Sequence, residues 1–432
     1  MSELNHILIG RDHSDLNKFG EAGMGTIAKQ IVGEKQEAHL TNPVKIDLSR
    51  PHIIGLFGKR GQGKSYSMGT IAEEIMLLED DIRNNMSGVI IDTMGIYWSM
   101  KTPNSNDAKL LAEWGLKPQG FDITVMIPEG HEQTFKENNI AYDATFSIKP
   151  NYLNTDDWAL SFNLELDSEM GIVLQKAMRE LHEEIGDKEY SIDDIIKYIK
   201  KQEFSGSAKD GLINRFIVAK DWGLFSEHGL DIHQIVRPGK MAVIDVSHFT
   251  QASGGWSVKS LVIGLLARKI LDERIKARRM EESEVMEGAN GKGHMPITWM
   301  LIDEAHQFLP REGMTAASLP LLQWVKIGRE PGVSLILATQ MPNKLHQEAV
   351  SQADLVISHR LTSSKDLDSL SEIMQNYMKY GISDYFDRLP RLKGSAIILD
   401  DNSERIVPIK IRPRMSWHAG GSPIAIKKNE EF

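Results

Sequence analysis

The chain contains no cysteine. That absence excludes disulfides, thiolate metal sites and cysteine nucleophiles, and it sits comfortably with the cytosol. It also has no run approaching ~18 consecutive apolar residues, and its opening MSELNHILIGRDHSD lacks a basic segment followed by an apolar one, so neither membrane insertion nor secretion is expected. The expectation is a cytoplasmic protein with no membrane partner. An overall basic charge is missing too: 50 lysines and arginines stand against 60 aspartates and glutamates, a formal charge of −10. Any nucleic-acid contact therefore has to come from local patches, or from a ring whose lumen differs from its exterior. Internal repeats and low-complexity tracts are absent.

What is present is enough for a large core. At 432 residues, with 41% apolar and 25% charged residues, the composition is that of a soluble globular protein, long enough for one large α/β domain with additions or for two to three smaller domains. Residues 1–50 are punctuated by Gly10, Gly20, Gly23, Gly25 and Gly33 and read as a small β-rich or loop-rich segment. From His52 onward, short apolar runs alternate with longer amphipathic stretches. Ile53 to Phe57, Val89 to Ile91, Ile123 to Ile127, Met241 to Val246, Thr298 to Ile302, Val333 to Ala338 and Leu355 to Ile357 describe a mostly parallel sheet covered on both faces.

The strand pattern fades between about Asp156 and His233, where Glu169 to Glu184 and Ile192 to Lys201 carry helical periodicity; this predicts a helical insertion. A long helix is expected from about Lys259 to Glu287. Its basic second half (Arg268, Lys269, Arg274, Lys276, Arg278, Arg279) reads as a solvated face, with DNA contact the alternative. GSAIILDDNSERIVPIKI, from Gly394, predicts an antiparallel hairpin at a sheet edge. The domain boundaries that follow are 1–50 for the lead-in, 51–150 and 236–415 for two parts of one α/β core, 151–235 for the insertion, and 416–432 for a tail; RPRMSWHAGGSP, from Arg412, is too rich in proline and glycine for regular structure.

The strongest local pattern is Gly58-Lys59-Arg60-Gly61-Gln62-Gly63-Lys64-Ser65, a G-x-x-x-x-G-K-[ST] loop directly after the apolar run HIIGLF and before a helix starting near Lys64. Glycines let successive backbone N–H groups converge on phosphate oxygens, and a helix N-terminus adds its positive dipole end. Lys64 then supplies a point charge to the β- and γ-phosphates and Ser65 a hydroxyl ligand for Mg²⁺; Tyr66 completes the nucleotide-binding stretch. The second half is ITWMLIDEAH, a buried strand ending in two acids. Asp303 is placed to hold Mg²⁺ and Glu304 to polarise an attacking water, which favours hydrolysis over phosphoryl transfer to a metabolite. Gln340 ends the apolar run VSLILATQ. If that strand lies beside the one ending in Asp303, Gln340 reaches the γ-phosphate or the water. Asp92, ending GVIID, has a similar position and no evident role.

GKRGQGKS, IIDTMGIYW, PGKMAVIDVS, LIDEAHQFLP, KIGREPGVSLILATQMP, SHRLTSSKDLDSL and RPRMSWHAGG follow one another in an order that resembles the HerA branch of the HerA/FtsK motor superfamily, over about Pro51 to Ser422. The resemblance implies a RecA-like P-loop core, a homohexameric ring with ATP between subunits, and double-stranded DNA at the central channel. It also implies an arginine acting in trans, for which Arg329 in GREPG matches the expected position and Arg360 in SHRLT is the runner-up. The lead-in is shorter than the N-terminal β-barrel of HerA proteins, and Ile96 stands where an acid is often found, so no catalytic role is carried onto it. Three functions fit: a DNA translocase or helicase-like motor working with a nuclease or effector in DNA repair or antiviral defence, a regulatory scaffold controlling such an effector, and a coupling ATPase of secretion or conjugation. Candidate grips on DNA are the loop from Leu309 to Met314 and the SGGW turn with Lys259.

Overall fold

The structure, a computed structural model, describes residues 6–35, 37–186, 188–251, 255–287, 295–374 and 381–421. The loop GANGKG, the first two residues of the SGGW turn and the last residues of the tail lie outside them. Strands are β1 (Ile7–Ile9), β2 (Met24–Val32), β3 (His39–Asp47), β4 (Ile53–Phe57), β5 (Met86–Asp92), β6 (Ile123–Pro128), β7 (Ala144–Phe146), β8 (Met241–Asp245), β9 (Ile297–Ile302), β10 (Val333–Thr339), β11 (Leu355–His359), β12 (Ser395–Asp400) and β13 (Arg405–Ile411). They form one sheet in the order β1-β3-β2-β13-β12-β11-β4-β10-β9-β5-β8-β6-β7. From β11 to β7 every pairing is parallel, which is the α/β architecture the alternating runs predict.

The runs are continuous rather than alternating because both faces are buried. In β4, Ile54 and Leu56 enter the core under the helix Lys64–Leu77 with Met68, Ile71 and Ile75, whereas Phe57 joins the opposite core. In β5, Ile90 faces the first core and Val89 and Ile91 the second. Each such side chain contributes about 1.5–3 kcal/mol by leaving water, and Ile54→Ala would cost about 2–5 kcal/mol by opening a cavity.

The second core is shared with four helices, Thr155–Ser161, Glu169–Ile185, Ile192–Lys201 and Gly206–Lys220. Their starts are fixed by local chemistry: Asn154 with Asp157 and Ser191 with Asp194 form capping boxes, and Ser168 and Ser205 cap the other two. Trp158, Phe162 and Phe216 lock the group together, with both Trp158–Phe216 and Phe162–Phe216 centroids 4.9 Å apart. The long helix is Gly255–Glu287. Two of its arginines are packing groups: Arg268 pairs with Asp157 at 2.9 Å, and buried Arg274 donates to the carbonyls of Pro331 and Met295.

Two expectations change. The β12–β13 hairpin is not at an edge, because β13 pairs onward with β2 (Ile409 opposite Gln30, Ile411 opposite Ala28) and the lead-in strands extend the sheet. An annexed lead-in thereby covers polar backbone that an exposed edge would leave open. Lys259 is not a surface grip: its side chain is fully buried and Nζ donates to the carbonyl of Thr93 at 3.1 Å. No helix among the described residues is long and apolar enough to cross a membrane.

Candidate nucleotide site

Three neighbouring strands, β4, β10 and β9, end at one edge of the sheet and bring the sequence-predicted residues together. β10 lies between the other two, with Thr339 opposite Phe57 and Leu337 opposite Ile302. The loop after β4, the polar end of β10 and the acidic pair after β9 therefore sit side by side. The condition set for Gln340 is met: it directly follows β10, which adjoins β9, the strand that Asp303 directly follows.

The loop has the backbone that phosphate binding needs. Gly58 has φ 155°, and a Cβ there would lie 2.7 Å from the Cβ of His359. Gly63, at φ 112°, is the N-cap of the helix Lys64–Leu77 and offers it no side-chain cap. The first-turn N–H groups are thus left to a ligand rather than to a serine or aspartate. Lys59, Arg60 and Gly61 are exposed, Gln62 half-buried, and the amide of Lys59 donates to the carbonyl of Arg360 at 3.3 Å. Lys64 is 7% exposed; burial lowers its pKa, and Asp303 and Glu304 raise it in opposition. The ammonium group is held in a dry, acid-lined place, where its attraction to phosphate is least screened. Tyr66 turns away from the loop: its hydroxyl accepts from the amide of Arg414 at 2.6 Å and its ring meets His418 edge-on.

Across the loop, Ser65 Oγ donates to Asp303 Oδ2 at 2.6 Å. A hydroxyl and a carboxylate so placed are the oxygen donors a magnesium ion takes alongside phosphate, so the residues fit that group. Glu304 adopts φ 51° and ψ 39°, the left-handed region, costing a non-glycine residue on the order of 1 kcal/mol. Its amide donates to Asp303 Oδ1 at 2.8 Å, so the strained turn is tied to the metal-ligand candidate. Its Oε2 is buried and accepts no hydrogen bond among the described residues; His306 Nδ1 is 3.5 Å away and bonds to Thr339 Oγ1 at 2.9 Å. Burial, then Lys344 and Lys64, lower the His306 pKa, so it is neutral at neutral pH and makes no ion pair with Glu304. Burial and Asp303 push Glu304 above the usual carboxylate range while Lys64 and Arg60 oppose them. An unpartnered carboxylate with a raised pKa is a ready acceptor for a proton from water.

The two arginines are placed differently. Arg360 follows β11 beside the loop, and its guanidinium donates to the carbonyls of Phe386 (2.7 Å) and Leu389 (3.2 Å). Arg329 precedes β10, at the opposite edge of the sheet; it is exposed and has no hydrogen-bond or ion-pair partner among the described residues.

Sequence reasoning missed the scaffold under the loop. His359 is fully buried, with Nε2 2.8 Å from Ser67 Oγ and Nδ1 3.1 Å from the carbonyl of Ser395. The carbonyl leaves Nδ1 as the donor and Nε2 as the acceptor of the serine hydroxyl. Buried Glu73, on the loop's helix, holds Arg412 (2.7 Å) and Arg414 (3.3 Å) and accepts from the amides of Met415 and Ser416. A segment that looked like an irregular tail is clamped onto the helix. Two adjacent glutamates inside the otherwise apolar stretch from Ile71 to Leu77 were the available signal.

A phosphate loop opening a helix, an acidic pair on a nearby strand and a polar strand end between them define a P-loop ATPase. Residues 32–270 match the family described as Helicase HerA, central domain, and the chain belongs to that family. It is 25% identical over 182 residues to the DNA double-strand break repair helicase HerA of Pyrococcus furiosus, covering 38% of this chain and 31% of that protein. It is 24% identical over 365 residues to a "Probable helicase" of Methanocaldococcus jannaschii, covering 82% and 64%. The chain thus spans about a third to two thirds of the length of these relatives. VirB4 of Thermoanaerobacter pseudethanolicus shares the fold at a TM-score of 0.54 and 14% identity, over 90% of this chain and 97% of that one.

Proposed function

We propose that this chain hydrolyses ATP within a homohexameric ring that engages double-stranded DNA and moves along it, in the cytoplasm and together with a nuclease or other effector of DNA repair or antiviral defence. The observation that carries the reading is the contact of Ser65 with Asp303, with the unpartnered Glu304 carboxylate next in the chain. The HerA relatives, named as DNA double-strand break repair helicases, support the choice of DNA.

In this reading the loop amides and Lys64 bind the β- and γ-phosphates, and Ser65 and Asp303 hold Mg²⁺. The ion would neutralise charge developing on the phosphates. Glu304 orients and polarises the attacking water, and Gln340 senses the γ-phosphate from the neighbouring strand. Arg329 reaches the nucleotide of the adjacent subunit, so that turnover depends on assembly. Surface loops then grip the phosphate backbone of the duplex, with the loop from Leu309 to Met314, exposed from Arg311 onward, a candidate that places Arg311 toward it.

Electron microscopy of the purified protein with an ATP analogue and duplex DNA, paired with ATPase assays, tests this. Rings around duplex and turnover raised by DNA are expected. Turnover indifferent to DNA but altered by a partner protein would replace the motor with a regulatory scaffold, and failure to bind ATP with Mg²⁺ would remove both.

A further inference from the structure

β9, β5 and β8 are adjacent and parallel, with Ile302 opposite Ile91 and Asp92 opposite Asp245. Asp303, Asp92 and Asp245 therefore form a row of carboxylates along the edge that carries the phosphate loop. Asp303 bonds to Ser65 directly. Asp92 is fully buried and turned on its own loop: Oδ1 accepts from the amides of Met94 (3.2 Å) and Gly95 (2.7 Å), and Oδ2 from those of Ile96 (2.8 Å) and Tyr97 (2.7 Å).

Four N–H groups on one carboxylate fold residues 93–97 into a turn whose shape is set by that side chain, with Gly95 at φ 70°. The turn delivers Tyr97, fully buried, so that its hydroxyl donates to the carbonyl of Ser65 at 3.1 Å. A carbonyl has two lone pairs, so it takes this bond without giving up a helical one. Lys259 holds the turn from the other side through the carbonyl of Thr93. Burial, then Asp245, push Asp92 up to about 7, and Lys259 is the nearby cation that offsets the crowded carboxylates.

We infer that Asp92 and Tyr97 are positioning residues of the nucleotide site: the Asp92 turn fixes the carbonyl side of Ser65 through the Tyr97 hydroxyl, while Asp303 fixes its hydroxyl side. The inference rests on reading this loop as a magnesium–ATP site and adds what aims its serine. Two strands next to each other each end in an aspartate, and each aspartate controls one end of the same residue. The cost of losing the Tyr97 contact falls on metal binding, because the amides and Lys64 read the phosphates without Ser65.

The test is Tyr97→Phe, which removes one oxygen and keeps the ring, followed by titration of a fluorescent ATP analogue with and without Mg²⁺. Affinity in EDTA should match the wild type, while the Mg²⁺ concentration for half-maximal binding rises about five-fold, the equivalent of one neutral hydrogen bond. Asp92→Asn, which turns an acceptor into a donor, should raise it further. Because Asp92→Asn also threatens folding, Tyr97→Phe decides. An unchanged Mg²⁺ requirement, or equal weakening with and without the ion, overturns the inference. A wild-type chain that fails to bind the analogue under either condition overturns the ATP reading beneath it.

Discussion

At the edge where β4, β9 and β10 end, the polar groups are buried or half-buried and committed to one another: Ser65 to Asp303, Glu304 to Asp303 through its amide, His306 to Thr339. At the edge where β4 and β10 begin, a cleft of about 650 Å³ is lined by charged side chains that include Arg50, Arg278, Lys326 and Arg329. Arg50 pairs with Asp15, Arg278 with Glu281 and Glu282, and Lys326 with Glu348. Arg329 alone of these four has no partner among the described residues. One edge holds what a triphosphate and a water need, and the other holds a spare guanidinium that the sheet keeps away from its own site. A ring, in which one subunit's edge faces the next, is the arrangement that would unite them.

The largest effects should come from removing either half. Lys64→Ala should abolish turnover by deleting the buried ammonium at the phosphates. Arg329→Ala should leave assembly intact and cut turnover by about 10³-fold, as expected of an arginine acting on transferring phosphate. Mixing the two inactive proteins gives interfaces that join an intact phosphate loop to an intact Arg329, and ATPase activity should reappear. Mixtures that stay as inactive as their parents would break the two-edge comparison.

Glu304→Gln should bind ATP normally and slow hydrolysis by about 10²- to 10⁴-fold, because the amide takes no proton from water. Single-turnover kinetics would show bound, uncleaved nucleotide. Hydrolysis at the wild-type rate would strip Glu304 of its role and leave its left-handed backbone without a functional account.

A smaller effect concerns the scaffold. Burial holds His359 down to about 4, against an ordinary value of 6.5. The unfolded chain therefore takes up the proton first, so stability is full above about pH 6.5 and is lost as pH falls toward 4, by about 3 kcal/mol over the window. Denaturant unfolding should show this loss in the wild type and a shallower one in His359→Gln. His418, also held near 4, should keep part of the slope in that variant. Parallel slopes in the two proteins would remove His359 from the acid response.

How far these features were legible in the sequence follows from how local they are. The phosphate loop is eight consecutive residues, and Asp303 and Glu304 end one apolar run; both declare themselves by pattern. The apolar core strands and two of the four insertion helices, Glu169–Ile185 and Ile192–Lys201, declare themselves by periodicity, whereas Thr155–Ser161 and Gly206–Lys220 do not. Tyr97 meets Ser65 across 32 positions, His359 meets Ser67 across 292 and Arg412 meets Glu73 across 339. Those pairings depend on strand order, which no local pattern carries. The same gap explains the misreadings: Lys259 looked like a surface cation because its acidic neighbours come from β5 and β8, and the final hairpin looked like an edge because nothing local announces that β2 pairs with β13.

Arg360 gives the smallest effect and the sharpest check on the contrast between the two edges. Its guanidinium already donates to the carbonyls of Phe386 and Leu389, at the end of the helix Ile382–Arg388, where a cation satisfies carbonyls that have no partner within the helix. Arg360→Ala should thus cost about 1–3 kcal/mol of stability through unmet carbonyls and leave turnover per folded subunit within a few-fold of wild type. Because the amide of Lys59 bonds to the Arg360 backbone, which the substitution keeps, the loop should hold its shape. Unaltered stability with turnover lost in Arg360→Ala, and normal turnover in Arg329→Ala, would move the trans-acting role to the loop's own edge and dissolve the division of labour between the two.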